Sequence, residues 1–402
     1  MSTSVTALMS TDRIVIVGGG VIGSSIAYHL CHDHFVGAVT VVERDPTYRR
    51  ASSFLAMGGV RQQFNSQANI RLAQYSVRFY QHFDDILRVA GHTPRVHFRQ
   101  RGYLFLVNDD LSDRFEERYK RQRALGAMVK RLNVNAIRDL VPDLALNDIR
   151  FGIFGPDDGY ADPRNVLAGF RAAAGAAGAE YVTGEVIKVQ QQGGRACGVT
   201  LKSGEWIAAS AVVNAAGPFA ASLGVLAHAK VPVMPVRQQL FRCALPQTWP
   251  YRFPVVIDPS GVHWRHEDPE DLSDPDRIVV ARTKLDETPG ENFTCDMSRW
   301  EHDFRPPLVM RLPALSDATL LEGWAGLYEM TPDHNPVLGE HPDLARFYIA
   351  NGFSGHGLMM APAVGAAMAE LIRDGRSMSI DITPFDIGRF ARDELFWDDT
   401  MI

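Results

Sequence analysis

The sequence has little of what marks a secreted, metal-bound or membrane-embedded chain. Its four cysteines, Cys31, Cys197, Cys243 and Cys295, lie far apart, so no pair has the spacing of a zinc knuckle or a redox dithiol. They are expected to be reduced thiols, which fits a cytoplasmic location. No apolar run approaches the roughly 20 residues of a membrane span. The stretch from Met1 to Asp12 is polar and lacks the apolar segment of a signal peptide. Basic residues are in the minority, 41 Lys and Arg against 47 Asp and Glu, for a net charge of −6. That balance argues against a general nucleic-acid binder, which needs a basic face. It does not exclude a small anionic substrate, because a few local arginines reverse the sign of one pocket. There is no internal repeat and no low-complexity tract. His29, His32 and His34, and the pair His263 and His266 around Trp264, only superficially resemble metal spacing, and no metal site is expected.

What is present is enough chain, 402 residues, for more than one core, so two domains are expected. The β-rich run Arg13 to Val17, a helical stretch from Val21 to His32 and a second buried run, Val39 to Glu43, form a βαβ unit. Ile70, Ala73, Val77, Tyr80, Phe83 and Leu87 recur every three or four residues and predict one amphipathic helix over Asn69 to Ala90. Leu111 to Asp143 is charged and helix-prone. Asp157 to Pro163 is turn chemistry, with Pro163 placed to open a helix. Further strands are expected at Glu185 to Val189, at Val212 onward and at Phe347 to Ala350. Alternation from Val231 to Thr283 predicts an antiparallel sheet, with Glu267 to Asp276 as an acidic surface loop. A last helix is expected over Ala361 to Ile372.

Gly18, Gly20 and Gly23 have the G-x-G-x-x-G spacing between a strand and a helix, with Val21 and Ile22 completing the turn. The first glycine permits the tight turn, the second lets backbone approach a pyrophosphate, and the third lets helix and strand pack closely. The helix N-terminus offers free N–H groups and the positive end of its dipole. Glu43 follows 20 residues after Gly23, at the end of the second strand, where a carboxylate accepts both ribose hydroxyls and disfavours a 2′-phosphate. The pattern predicts dinucleotide binding.

Four separated pieces carry a more specific likeness: the loop with Glu43-Arg44, Ala51-Ser52-Ser53 through Arg61, Val212 to Gly217, and Trp324 to Gly365. Together they resemble the D-amino-acid oxidase superfamily, particularly its glycine/sarcosine oxidase-like branch. Within that branch, Met57 to Phe64 is most similar to a subgroup that includes a respiratory-complex assembly factor. The resemblance implies an α/β fold: a Rossmann-like FAD-binding domain of the D-amino-acid oxidase type, with an inserted mixed or antiparallel-sheet substrate domain. The expected FAD domain is discontinuous, 1–85, 150–228 and 324–390, and the substrate domain takes 86–149 and 229–323.

FAD would lie extended, its pyrophosphate on the first loop and its adenosine ribose on Glu43. The resemblance assigns Arg44, Ser52, Ser53, Met57, Gly58, Gly59, Arg61, Val186, Ala215, Ala216, Gly217 and Gly326 to the cofactor as well. Gly355, His356, Gly357, Leu358 and Met359 match a second glycine-rich turn facing the flavin pyrimidine oxygen. There a helix dipole stabilises the charge of the reduced ring. The linking cysteine of sarcosine oxidases stands five positions before the threonine of a Thr-Pro-Asp triplet. Here the triplet is Thr331-Pro332-Asp333 and that position is Gly326. No histidine lies between Ala51 and Gly59 either, so FAD is expected to be non-covalent.

The resemblance further implies oxidation of a C–N bond by hydride transfer to flavin N5, hydrolysis of the resulting imine, and H2O2 formation where oxygen is the acceptor. The expected partners are an amine or amino-acid substrate and an electron acceptor. Arg61 matches an arginine near the flavin, Tyr328 a tyrosine facing it, and His356 a residue of the second turn. Arg237 and Arg265 are candidates for a substrate carboxylate, each weighed against being a solvated strand arginine. Met359 stands where sarcosine oxidases have a carboxylate-binding lysine. A thioether cannot hold a carboxylate, so a larger or more apolar N-substituted amino acid is expected. Two other readings stay open: an assembly or interaction protein that keeps FAD without turnover, and a 2-hydroxy-acid dehydrogenase of related fold.

Overall fold

The computed structural model describes residues 12–33, 35–246, 249–267, 276–283 and 286–398. The first βαβ unit forms as its apolar runs dictate. The strand Arg13–Val17 is central in a six-stranded sheet whose spatial order is Val337–Glu340, Phe347–Asn351, Ala211–Asn214, Arg13–Val17, Ala38–Glu43, Glu180–Thr183. All neighbours are parallel except the first pair. Ile14, Val15 and Ile16 are wholly buried because both faces are covered. The nucleotide helix, Val21–His32, packs on one face, and the C-terminal helix, Gly357–Asp374, packs against it. The latter starts four residues earlier than its apolar pattern suggested. Pro362 lies inside this helix and supplies no N–H for the carbonyl of Leu358. The Tyr80 hydroxyl donates to that oxygen instead, at 2.6 Å.

Besides a three-stranded sheet, Trp206–Ala208, Arg195–Leu201, Val186–Gln192, and the pair Gly59–Val60 with Gly159–Tyr160, a second large sheet has eight strands, in the order Thr319–Met330, Met234–Ala244, Arg277–Arg282, Val262–Glu267, Val255–Ile257, Tyr103–Val107, Phe151–Gly155, Lys130–Leu132. It is antiparallel except where Val255–Ile257 runs parallel to Tyr103–Val107. The expected α/β architecture with a mixed second sheet is present. Two strands cut across the expected domain boundaries. Phe151–Gly155 pairs with Tyr103–Val107 in the second sheet, and Thr319–Met330 spans position 324 as one strand. Ladder pairing, which the local pattern does not specify, decides both.

Other differences are local. The helix expected over Asn69 to Ala90 is two, Gln67–Gln81 and Phe83–Ile86, offset at His82. Its six periodic apolar residues are all buried nonetheless. Ser66 caps the first of these helices by accepting the Asn69 N–H at 3.1 Å. The charged stretch after Leu111 is a helix, Ser112–Ala124, a short strand, and a second helix, Val134–Leu140. Pro163 opens its helix as expected, with Asp162 as the cap. Asp276, expected in a surface loop, is buried and held by both terminal nitrogens of Arg252 at 2.6 Å; residues 268–275 lie outside those described. His29 is buried between Tyr28 and Phe79, with Asp33 3.5 Å away. His34 lies outside the described residues.

The segment after the C-terminal helix is pinned by a buried ion pair, Arg389 to Asp333 at 2.8 Å, both side chains essentially without solvent contact. Removing one partner strands the other charge. Arg389→Met is expected to lower unfolding free energy by about 3–5 kcal/mol in denaturant titrations.

Candidate functional site

A cavity of about 500 Å³ is lined by residues of both sheets. At one end the chain leaves the strand Arg13–Val17 through Gly18, whose φ of +106° is accessible to glycine but not to residues with a side chain. A Cβ there would lie 2.3 Å from the Ala215 carbonyl oxygen, and one at Gly23 would lie 2.0 Å from the Gly18 oxygen. Gly20 has room: its nearest neighbour would be Ser53 Oγ at 3.7 Å. The nucleotide helix therefore begins with its first-turn N–H groups turned to open space, and Ser53 Oγ accepts one of them, from Val21, at 3.4 Å. Glu43 accepts the N–H of Gly19 and of Asp45, both at 2.8 Å, one on each carboxylate oxygen. That fixes its plane and leaves lone pairs for a diol. Arg44 stacks on Phe219, 3.7 Å from the ring centre, and Val186 lines the same end.

At the other end Gly355 has φ +99°, and a Cβ would meet the Tyr328 ring at 2.6 Å. The loop thus packs flush beneath Tyr328 and releases the C-terminal helix at Gly357, its N-terminus opening on the cavity. Two helix N-termini, one at each end, suit a long ligand with two negative regions.

Arg61 is buried beside this second turn. It donates to the Gln63 carbonyl and to His356 Nε2, the latter at 3.3 Å, and lies over the Phe64 ring at 4.3 Å. Since a guanidinium only donates, His356 Nε2 must be an acceptor. Burial, then the Arg61 charge, push His356 down to about 3, so it is neutral at ordinary pH. Burial likewise pushes Tyr103 and Tyr328 up to about 12 and keeps both hydroxyls protonated.

All the residues assigned to the cofactor line the cavity except Gly23, which serves the helix–strand contact behind it. Met359 also lines it. The two candidate carboxylate arginines do not. Arg237 is tied to Glu287 at 2.9 Å and to the Thr294 carbonyl. Arg265 donates to the Met57 and His266 carbonyls, both at 2.7 Å. Tyr103, Gln238 and His263 also line the cavity and were not expected there. Their strands come together only through sheet pairing; no spacing in the sequence marks them as a set. None of the four cysteines lines the cavity, and among the described residues no cluster of three or more His, Cys, Asp or Glu is placed to hold a metal.

Asp158 lies outside the cavity. It accepts the Gln62 N–H at 3.0 Å and Gln63 Nε2 at 3.1 Å. Burial nonetheless pushes it up to about 7. Because the folded protein holds this proton more tightly than the unfolded chain, the associated stability is present at low pH and lost as pH rises through about 7. In Asp158→Asn the loss of stability between about pH 4 and 7, followed by denaturant unfolding, is expected to be smaller than in the wild type. With no cysteine at the cavity, denaturation followed by filtration is expected to pass yellow FAD into the filtrate.

The comparisons with known proteins agree with this geometry. The chain is 33% identical to a bovine (Bos taurus) protein named FAD-dependent oxidoreductase domain-containing protein 1, over 94% of this chain and 84% of that one. It is 25% identical to human (Homo sapiens) mitochondrial sarcosine dehydrogenase over 95% of this chain and 42% of that one. Among solved structures, L-proline dehydrogenase from P. horikoshii superposes with a TM-score of 0.85 at 30% identity, covering 97% of this chain and all of that one. The model of the DAO family, FAD dependent oxidoreductase, matches residues 13–371. With a cavity cradled by two helix N-termini and an acidic ribose acceptor, the chain belongs to the DAO family of FAD-dependent oxidoreductases.

Proposed function

We propose that the chain oxidises the C–N bond of an amino acid or N-substituted amino acid. The observation that carries this reading is the polar lining over the second glycine turn. It consists of protonated or neutral groups, Tyr103, Gln238, His263 and Tyr328, with the buried charge of Arg61 behind them. Such a lining orients a small zwitterion without the triad or paired carboxylates of hydrolytic chemistry. FAD, when bound, supplies the two-electron acceptor for a hydride equivalent from the carbon next to nitrogen.

The chain's own part is positional. The hydroxyls of Tyr103 and Tyr328 are donors for a carboxylate, and Arg61 adds a fixed positive field that screening by water does not reach. At its own position in the second turn, Met359 presents an apolar thioether and no cation. This favours a substrate with more apolar surface than sarcosine. The likeness to an L-proline dehydrogenase and a sarcosine dehydrogenase supports a secondary amine as the reacting group.

An anaerobic screen of amino acids, N-methyl and N-carboxyalkyl derivatives and 2-hydroxy acids, read by flavin bleaching, tests the reading. Amines are expected to bleach the flavin, and sarcosine more slowly than bulkier N-alkyl amino acids. Bleaching by hydroxy acids alone, or by nothing, overturns it. Peroxide detection in air then identifies oxygen as acceptor or excludes it.

A further inference from the structure

The substrate end of the cavity presents an acceptor that the fold has prepared and not used. His263 stands in the strand Val262–Glu267 directly opposite Ala281, and both residues line the cavity. Residues facing each other across a ladder share a face, so the imidazole belongs to the cavity side of the sheet. Its Nδ1 lies 3.1 Å from the Gly261 carbonyl oxygen. A carbonyl can only accept, so Nδ1 carries the hydrogen and Nε2 carries a lone pair. Among the described residues no protein donor reaches Nε2. Burial first, then the neighbouring Arg61 charge, push this ring down to about 4, which keeps that lone pair free at neutral pH. Gln238, whose amide oxygen is also an acceptor, lines the same cavity. Tyr103 and Tyr328 present protonated hydroxyls, and the Nε2 of His356 is already spent on Arg61.

We propose that His263 Nε2 accepts the N–H of the substrate's amine nitrogen, and so selects primary and secondary amines over N,N-dialkyl amines. This rests on the C–N reading above. In the uncharged form from which a hydride leaves, a secondary amine keeps one N–H beside its lone pair and a tertiary amine keeps none. A tertiary amine would bury Nε2 against a methyl group or another lone pair. A site built for an N–H rejects an analogue without it, because its own polar atom is left unpaired.

The test uses two planar, non-oxidisable probes of equal shape, pyrrole-2-carboxylate, which has the N–H, and furan-2-carboxylate, which has an oxygen there. Each is titrated into the FAD-loaded protein and followed by the change in flavin absorbance. The wild type is expected to bind the pyrrole at least about tenfold more tightly. His263→Leu is expected to bring the two within about twofold, and His263→Gln, whose amide oxygen is an acceptor, to restore part of the preference. Equal binding by the wild type, no perturbation by either probe, or a preference that survives in His263→Leu overturns the proposal. If His263→Leu does not hold FAD, the wild-type comparison and His263→Gln still decide it. The titration reads binding and the earlier screen reads reduction, so failure of one is distinct from failure of the other.

Discussion

The close contact between the nucleotide helix and the C-terminal helix is the constraint on which the rest depends. A Cβ at Gly365 would lie 2.1 Å from Ser25 Oγ, and Ser25 donates to the Ala361 carbonyl at 2.8 Å. The two helices therefore touch near their starts, and their N-termini, at Gly20 and His356, are held at a fixed separation along one cavity. Because one element comes from residues 21–32 and the other from 357–374, nothing but tertiary packing sets that spacing. A loosened contact would leave each end able to hold its half of a ligand, but not both halves of one.

Electrostatics at the reactive end follow from burial more than from charge count. The protein is net acidic, yet the deepest cation here is Arg61, answered by the Gln63 carbonyl, by a neutral histidine and by aromatic faces. Burial strengthens the interactions around it. The same burial raises Asp158 and lowers His263 and His356, so the surroundings of the cavity are mostly neutral groups held in fixed tautomers. This is an orienting environment, suited to a reaction whose electrons go to a cofactor.

The fates of Arg237 and Arg265 show where pattern reading reaches its limit. Both were reasonable carboxylate ligands by type and by strand position. A strand's alternation tells which residues share a face, but not which face meets the cavity. Arg237 is paired with Glu287, and Arg265 donates to the Met57 carbonyl. His263, set aside as an improbable metal ligand, is the ring left with a free acceptor. Its difference from His266, which stacks on Phe253 on the other face, is invisible in the string.

By itself the sequence determined the local devices: the glycine spacing from Gly18 to Gly23, Glu43 at the end of its strand, the capped helix behind Pro163, and the second turn at Gly355 to Met359. Each depends on residues close in the chain and on backbone geometry that only certain side chains allow, so short-range chemistry suffices to read it. Tertiary structure alone decided the pairing of Phe151–Gly155 into the second sheet, the assembly of Tyr103, Gln238 and His263 over one cavity, and the burial that fixes their protons. Those outcomes depend on strand register and desolvation, which are sums over residues far apart in the chain, and no local pattern encodes them.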